Sequence, residues 1–147
     1  MSSFQIIVGS MLGASEYIAE ACQETLESFG HEVTLHFSPD FSQIPHQDQF
    51  WLICTSTHGA GDYPDNIQQF VDDLTNSTIT LTDLPFAVIG LGDTSYDTFC
   101  FAAKNIEKLL LSKGCNKTIE TKTYDVQSEI DPEEDAQTWI EQHKDLL

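Results

Sequence analysis

The chain has 147 residues, of which 40% are hydrophobic, a length and composition typical of a single folded domain over residues 1–147 rather than of a disordered chain. Its formal net charge is −18: there is no arginine, the six lysines all lie from Lys104 onward, and the first 103 residues hold 14 acidic residues. Because proteins bind nucleic acids and anionic membranes through Lys and Arg, this pattern argues against both, while leaving open either a basic protein partner or a simple role in solubility.

The N-terminal segment and the cysteines indicate where the protein works. Residues 1–10 (MSSFQIIVGS) lack the basic flank and the long apolar core of a signal peptide, and no other segment is long and apolar enough to span a membrane. The cysteines form no C-x-x-C pair and no Cys/His cluster, which favours free thiols over disulfides or a zinc site. They are Cys22, Cys54, Cys100 and Cys115. We therefore expect a cytoplasmic protein that holds no metal ion.

Five short segments predict β-strands. Residues 4–9 (FQIIVG), 50–55 (FWLICT) and 86–91 (FAVIGL) are almost continuously apolar, which is typical of strands covered on both faces of a parallel sheet. Residues 31–37 (HEVTLHF) and 117–126 (KTIETKTYDV) alternate in polarity and are expected nearer the two edges of that sheet.

Four amphipathic patterns follow strands and predict helices, because their apolar residues recur with a period near 3.6. Gly30 and Gly114 follow the first and third patterns as helix-ending residues, and Asp131 followed by Pro132 is a typical start for the fourth. The apolar stripes are Tyr17, Ile18, Ala21, Cys22, Thr25, Leu26 and Phe29; Ile67, Phe70, Val71 and Leu74; Phe99, Ala102, Ala103, Ile106, Leu109 and Leu110; and Trp139 with Ile140. Strands that alternate with helices predict a doubly wound α/β fold.

Three loops rich in Gly, Ser, Thr and Asp follow the three most apolar strands. They span residues 10–15, 56–66 and 90–100, and in a parallel sheet such loops converge where ligands bind. The first loop has neither the lysine of a P-loop nor the third of the three glycines that a dinucleotide-binding loop requires. The hydroxyls of Ser10 and Ser15 and the N–H groups at the start of the helix can still hold a phosphate. With no cation to stabilise a transferring phosphoryl group, that phosphate is expected to be an anchor and not a substrate.

The same three loops, GSMLGAS, STHGAGDYPDN and GLGDTSYDTFC, resemble in order and spacing the phosphate loop and the two flavin-flanking loops of flavodoxins. The resemblance is greatest to short-chain flavodoxins and to the flavodoxin-like domains of sulfite reductase flavoprotein and cytochrome P450 reductase. It implies an FMN cofactor and a five-stranded parallel sheet in the order 2-1-3-4-5, with helices on both faces.

The resemblance also implies which residues bind the cofactor. His58 and Tyr96 take the positions that stack on the flavin ring, and a carbonyl near Gly59 takes the position that accepts a hydrogen bond from the reduced flavin. The family usually has hydroxyl or amide residues where this chain has Leu12 and Ala14, so we expect weaker FMN binding than in typical flavodoxins. The complete set is Ser10, Met11, Leu12, Gly13, Ala14 and Ser15 for the phosphate, and Ser56, Thr57, His58, Gly59, Ala60, Gly61, Leu91, Gly92, Asp93, Thr94, Ser95, Tyr96, Phe99 and Cys100 around the ring and ribityl chain.

The function implied is that of a monomeric, low-potential electron carrier without catalytic turnover of its own. Acidic side chains in the flavin-flanking loops would disfavour the added negative charge of a reduced flavin, and they would attract a basic NADPH-dependent flavoprotein reductase of the ferredoxin/flavodoxin reductase type. Electron acceptors of this family include radical-SAM enzymes such as biotin synthase, sulfite reductases and the activation system of ribonucleotide reductase. The acidic residues concerned are Asp62, Asp65, Asp93 and Asp97.

Three other functions compete with electron transfer. An NAD(P)H-dependent quinone reductase would need a nicotinamide site, and no second nucleotide motif is present. A phosphoacceptor signalling domain of the same fold needs acids where this chain has Gly9-Ser10 and an aspartate where it has Cys54-Thr55. An interaction domain without flavin stays open because of Leu12 and Ala14.

Overall fold

A computed structural model describes residues 2–10, 13–58, 61–93 and 100–147 of the chain. Strands and helices follow one another much as the sequence predicts. The strands are β1 (Ser3–Gly9), β2 (Glu32–His36), β3 (Phe50–Ser56), β4 (Pro85–Gly92), β5 (Asn116–Lys117) and β6 (Lys122–Asp125). The helices are α1 (Ala14–Ser28), α2 (Asp65–Asn76), α3 (Phe101–Ser112) and α4 (Pro132–Gln142), with short 3₁₀ turns at Phe41–Gln43 and Lys144–Leu146.

The strands form one parallel sheet in the order β2-β1-β3-β4, and both β5 and β6 pair with the free edge of β4. This confirms the predicted α/β fold and its strand order. In the register of the three central strands, Thr55 lies opposite Gly9 on one side and Gly90 on the other. The carboxyl ends of β1, β3 and β4 are therefore level with one another.

The fifth strand position differs from the prediction of one continuous strand over residues 117–126. Asn116 pairs with Pro85 at one end of β4, and Asp125 pairs with Gly92 at the other. Between them, Thr118 still donates its N–H to the Phe86 carbonyl at 3.0 Å, but residues 119–121 belong to no strand. Ile119 in this break is buried in the core, and Lys117 before it forms salt bridges with Glu107 and Glu120. The alternating pattern alone does not reveal the break.

Both faces of the sheet are covered by helices, which explains why the central strands are apolar at consecutive positions. Alternate residues of β1 enter different cores: Ile6 packs with residues of α1 and α4, and Ile7 packs with residues of α2 and α3. Trp51 is fully buried in the second core and donates its indole N–H to the Pro45 carbonyl at 2.9 Å. Trp139 is buried in the first core, as its stripe predicts.

Tyr17 is the clear exception among the predicted core residues, and its assignment to the buried stripe of α1 is wrong. Its side chain is 60% exposed, whereas the neighbouring Ile18 is 1% exposed. Tyr17 lies beside a cleft between α1 and the start of α4, where Glu20 and Glu133 also lie. Because α4 leaves this part of α1 uncovered, the inner face of the helix is narrower there than its sequence suggests.

The packing of α3 on β4 leads to a stability prediction. A Cβ atom added to Gly90 would lie 2.5 Å from the Cβ of Ala103, so Gly90→Ala should lower the free energy of unfolding by about 1–3 kcal/mol through overpacking. The double variant Gly90→Ala/Ala103→Gly should regain part of that loss. Urea denaturation of the flavin-free proteins measures both, and an unchanged stability in the single variant would contradict this helix–strand contact.

Candidate functional site

The predicted loops begin side by side at one edge of the sheet, because the carboxyl ends of β1, β3 and β4 are level. Leu91 pairs with Ser56 across β4 and β3. The hydroxyl of Thr57 accepts a hydrogen bond at 3.2 Å from the backbone N–H of Ala102 in α3. The second loop is thus tied to the helix that follows the third.

The first loop closes onto the start of α1 through a serine hydroxyl. The Ser10 Oγ accepts a hydrogen bond from the Gly13 N–H at 2.9 Å, and Gly13, the residue before α1, has a left-handed conformation with φ of 89°. Within the described residues, no side chain caps this end of the helix. The first turn of a helix has backbone N–H groups without intrahelical acceptors and a partial positive charge, so it can receive an anion.

Ser15 has a different environment from the one expected of a phosphate-binding hydroxyl. Its side chain is fully buried, and its Oγ lies 2.7 Å from the Oγ of Ser56 at the end of β3. Its carbonyl accepts a hydrogen bond from the thiol of Cys54 at 3.4 Å. Phosphate binding by Ser15 stays a prediction, because either hydroxyl of the Ser15–Ser56 pair can be the donor.

The second loop folds into a tight turn. The N–H of His58 donates to the Asp62 carbonyl and the N–H of Asp62 donates back to the His58 carbonyl, both at 2.8 Å. Gly61, with φ of 112°, also donates to the His58 carbonyl at 3.1 Å. His58 is half-buried at the base of this turn, and Asp62 and Asp65 are exposed beside it.

The start of the third loop is held by residues that follow β6. The Gln127 Nε2 donates to both carboxylate oxygens of Asp93 at 3.1 Å, and the N–H of Val126 donates to the Gly92 carbonyl at 2.8 Å. At the far end of the loop, Cys100 is buried with φ of 53° immediately before α3.

The thiols next to this edge are buried and protonated at neutral pH. Burial is the main cause that raises the pKa of Cys100 to about 11 and places the pKa of Cys54 well above its ordinary value. A protonated thiol is a poor nucleophile, and neither residue forms a disulfide. All four cysteines of the chain are free and buried.

The structure brings together at this edge every predicted site residue that it describes. These are Ser10, Gly13, Ala14, Ser15, Ser56, Thr57, His58, Gly61, Leu91, Gly92, Asp93 and Cys100. The remaining predicted residues lie outside the described residues: Met11, Leu12, Gly59, Ala60, Thr94, Ser95, Tyr96 and Phe99, together with the acidic Asp97.

Two residues that the sequence reasoning missed also contact these loops. Asn66 accepts a hydrogen bond from the Ser10 N–H at 2.9 Å, and Gln127 holds Asp93 as described above. Asn66 falls within the quoted second-loop motif, but its partner is 56 residues away in sequence. No local pattern could have identified that contact.

The part of the chain that the structure describes offers neither a metal site nor a membrane-spanning helix. It contains no group of three or more His, Cys, Asp or Glu side chains arranged to hold a metal ion. None of its helices combines the length and the apolar character needed to cross a membrane.

Three kinds of comparison with known proteins agree on one family. The flavodoxin family model matches residues 6–139. The protein MioC homolog of Haemophilus influenzae is 43% identical over 135 residues, which cover 92% of this chain and 92% of the relative. Protein MioC of Escherichia coli K12 is 36% identical over 147 residues, or 100% of this chain and 99% of the relative. A cysteine-to-serine mutant of a flavodoxin from Pseudomonas aeruginosa has the same fold with a TM-score of 0.90, at 29% identity over 99% of this chain and 98% of that one.

The described part of the site suits the cofactor of this family. FMN has a terminal phosphate, and Ser10 and Gly13 shape a loop at a helix start that has no side-chain cap. FMN also has a planar ring, and the described ends of the second and third loops, at His58, Asp62 and Asp93, lie at the same edge of the sheet. The chain belongs to the flavodoxin family, whose members bind FMN and carry electrons.

Proposed function

We propose that this flavodoxin receives electrons from a basic NADPH-dependent flavoprotein reductase and passes them, as a cytoplasmic monomer, to an acceptor enzyme, with radical-SAM enzymes of the biotin synthase type as one candidate. Bound FMN supplies the one-electron chemistry. Four free cysteines, all buried, are consistent with a reducing compartment.

The observation that carries the choice of partner is the charge at the carboxyl edge of the sheet. Asp62 and Asp65 are exposed beside the second loop, and Asp93 and Asp125 lie at neighbouring positions where β4 and β6 end. Near the start of α3, Lys104 provides a single opposing charge among the described residues of this edge. A negative surface around a redox site attracts a positive partner and speeds the encounter between them.

We further propose how this chain's own residues hold FMN. The Ser10 hydroxyl, which accepts a hydrogen bond from the Gly13 N–H, donates its own hydrogen to the phosphate, and the backbone N–H groups of Ala14 and Ser15 also bind the phosphate. The second and third loops enclose the ring. Three contacts support this division: Ser10 to Gly13, Ser15 to Ser56 and Thr57 to Ala102. They join the described ends of the first and second loops to α1, β3 and α3.

The purified protein should be yellow and should release FMN and not FAD, because one helix start offers one phosphate site. A visible spectrum followed by mass analysis of the released cofactor tests this, and finding FAD, or no flavin binding on reconstitution, would contradict it.

Stopped-flow mixing tests the electron donor. NADPH alone should bleach the flavin slowly, and a catalytic amount of reductase should make bleaching fast. Rapid bleaching by NADPH alone would instead favour a quinone reductase.

A further inference from the structure

Asn66, the second residue of α2, bonds with its side chain to three backbone groups in different parts of the chain. Its Oδ1 accepts a hydrogen bond from the Ser10 N–H at 2.9 Å, and its Nδ2 donates to the Val8 carbonyl at 2.7 Å and to the Phe37 carbonyl at 3.0 Å. The partners fix the orientation of the amide, since Ser10 offers a donor and the other two offer acceptors.

These bonds fix the backbone before and after Gly9, where β1 ends. Val8 and Ser10 flank Gly9, the last residue of β1, and Phe37 directly follows β2. The backbone there comes very close to α2, because a Cβ atom on Gly9 would lie 2.8 Å from the Cδ1 of Ile67, the neighbour of Asn66. Asn66 is therefore placed against the point where the chain leaves the sheet and enters the first loop.

The contact continues from Asn66 to the start of α1. Asn66 fixes the Ser10 backbone, and the Ser10 hydroxyl in turn accepts a hydrogen bond from the Gly13 N–H. Gly13 then leads into α1 with its uncapped first turn. Two consecutive hydrogen bonds thus connect the amide of Asn66 with the helix start that can receive an anion.

We propose that Asn66 is a positioning residue for the FMN phosphate: by fixing Ser10, it sets the place where the Ser10 hydroxyl and the N–H groups of α1 converge. This inference rests on the proposed assignment of the phosphate to the first loop. The role needs a side chain as short as asparagine that offers one hydrogen-bond acceptor and two N–H donors. Aspartate lacks the donors, and glutamine adds a methylene group that the close approach of α2 to Gly9 does not accommodate.

The test compares the affinity of the flavin-free protein for FMN and for riboflavin, which lacks the phosphate. The parent should bind FMN more tightly than riboflavin. Asn66→Ala should weaken FMN binding on the order of tenfold or more, because the loop loses its fixed geometry. Its riboflavin affinity should change by less than about twofold, since the ring contacts remain in place.

Two further variants keep the test decisive. Asn66→Asp retains the acceptor for Ser10 but loses both donors and adds a negative charge near the phosphate, so it should show the same selective loss of FMN even if Asn66→Ala fails to fold. Gln69→Ala is the matched control, since Gln69 is an exposed amide on the same helix that bonds to Asp73 at 2.9 Å. Both of its flavin affinities should equal those of the parent.

The possible outcomes separate the two proposals. A parent protein that binds FMN no better than riboflavin would overturn the phosphate site itself and the role of Asn66 with it. A parent that prefers FMN, combined with Asn66 variants that keep this preference, would overturn the role of Asn66 alone. Equal losses for FMN and riboflavin would also overturn it, because they would indicate a general effect on folding.

Discussion

Gly13→Val should abolish FMN binding, with an affinity loss on the order of a hundredfold or more. Gly13 has φ of 89° at the residue before α1, a left-handed conformation that is especially costly for a β-branched side chain. Crowding is not the cause, since the nearest atom to an added Cβ would be Cε2 of Tyr17 at 3.7 Å. Valine can relieve this strain only by changing φ. That change would break the hydrogen bond from the Gly13 N–H to the Ser10 hydroxyl and would reorient the N–H groups in the first turn of α1. Titration of the flavin-free protein with FMN, followed by flavin fluorescence, measures the loss.

Gly30→Val is the matched control for this effect. Gly30 has φ of 90°, lies just beyond the other end of α1, and has no atom within 4 Å of an added Cβ. The variant therefore has a similar backbone strain without touching the first loop, and it should lower stability while keeping FMN affinity. Normal FMN binding by Gly13→Val would show that the phosphate lies elsewhere. Equal losses in both variants would indicate a loss of folding in place of a lost phosphate site.

The central strands could be predicted from sequence because both of their faces are buried, which requires apolar residues at successive positions. Ile6 and Ile7 point to opposite cores, so β1 has to be apolar at successive positions, and the same holds for β3 and β4. The meeting of the three predicted loops at one edge followed from this, since three parallel strands with aligned carboxyl ends bring their loops together.

The predictions that failed depend on contacts between distant segments. Tyr17 fits the period of α1, but whether that position is covered depends on where α4 begins. Residues 117–126 alternate as a strand would, yet residues 119–121 belong to no strand. Two contacts that the sequence does not indicate have the same origin: the side chain of Ser15 bonds to Ser56, and that of Asn66 bonds to residues 29 to 58 positions away. Hydrogen bonds of this range leave no periodic signal in a sequence.

Asp62→Asn/Asp65→Asn should slow association with a basic NADPH-dependent reductase several-fold at low ionic strength, and should flatten its dependence on salt. Both carboxylates are exposed and flank the turn proposed to cover the flavin ring, so they contribute to the field that a docking partner meets. Asp93 is a poorer choice for this test because its carboxylate holds Gln127, and neutralising it would also disturb the third loop. FMN affinity should stay nearly unchanged in the double variant. Stopped-flow reduction at increasing ionic strength measures the association rates.

Glu20→Gln/Glu24→Gln removes the same charge from a different surface and serves as the control. Both glutamates line the cleft between α1 and the start of α4, beside the exposed ring of Tyr17. If the reductase docks over the flavin edge, this variant should keep most of the parent's salt dependence, because screening at about 0.15 M ionic strength limits charge interactions to roughly 8 Å. A flattened salt dependence in the Glu20/Glu24 variant, together with a parent-like one in the Asp62/Asp65 variant, would place the reductase on the α1–α4 cleft. Electrons would then have to cross the width of α1 to reach the site, and the acidic loops would serve the acceptor enzyme in place of the donor.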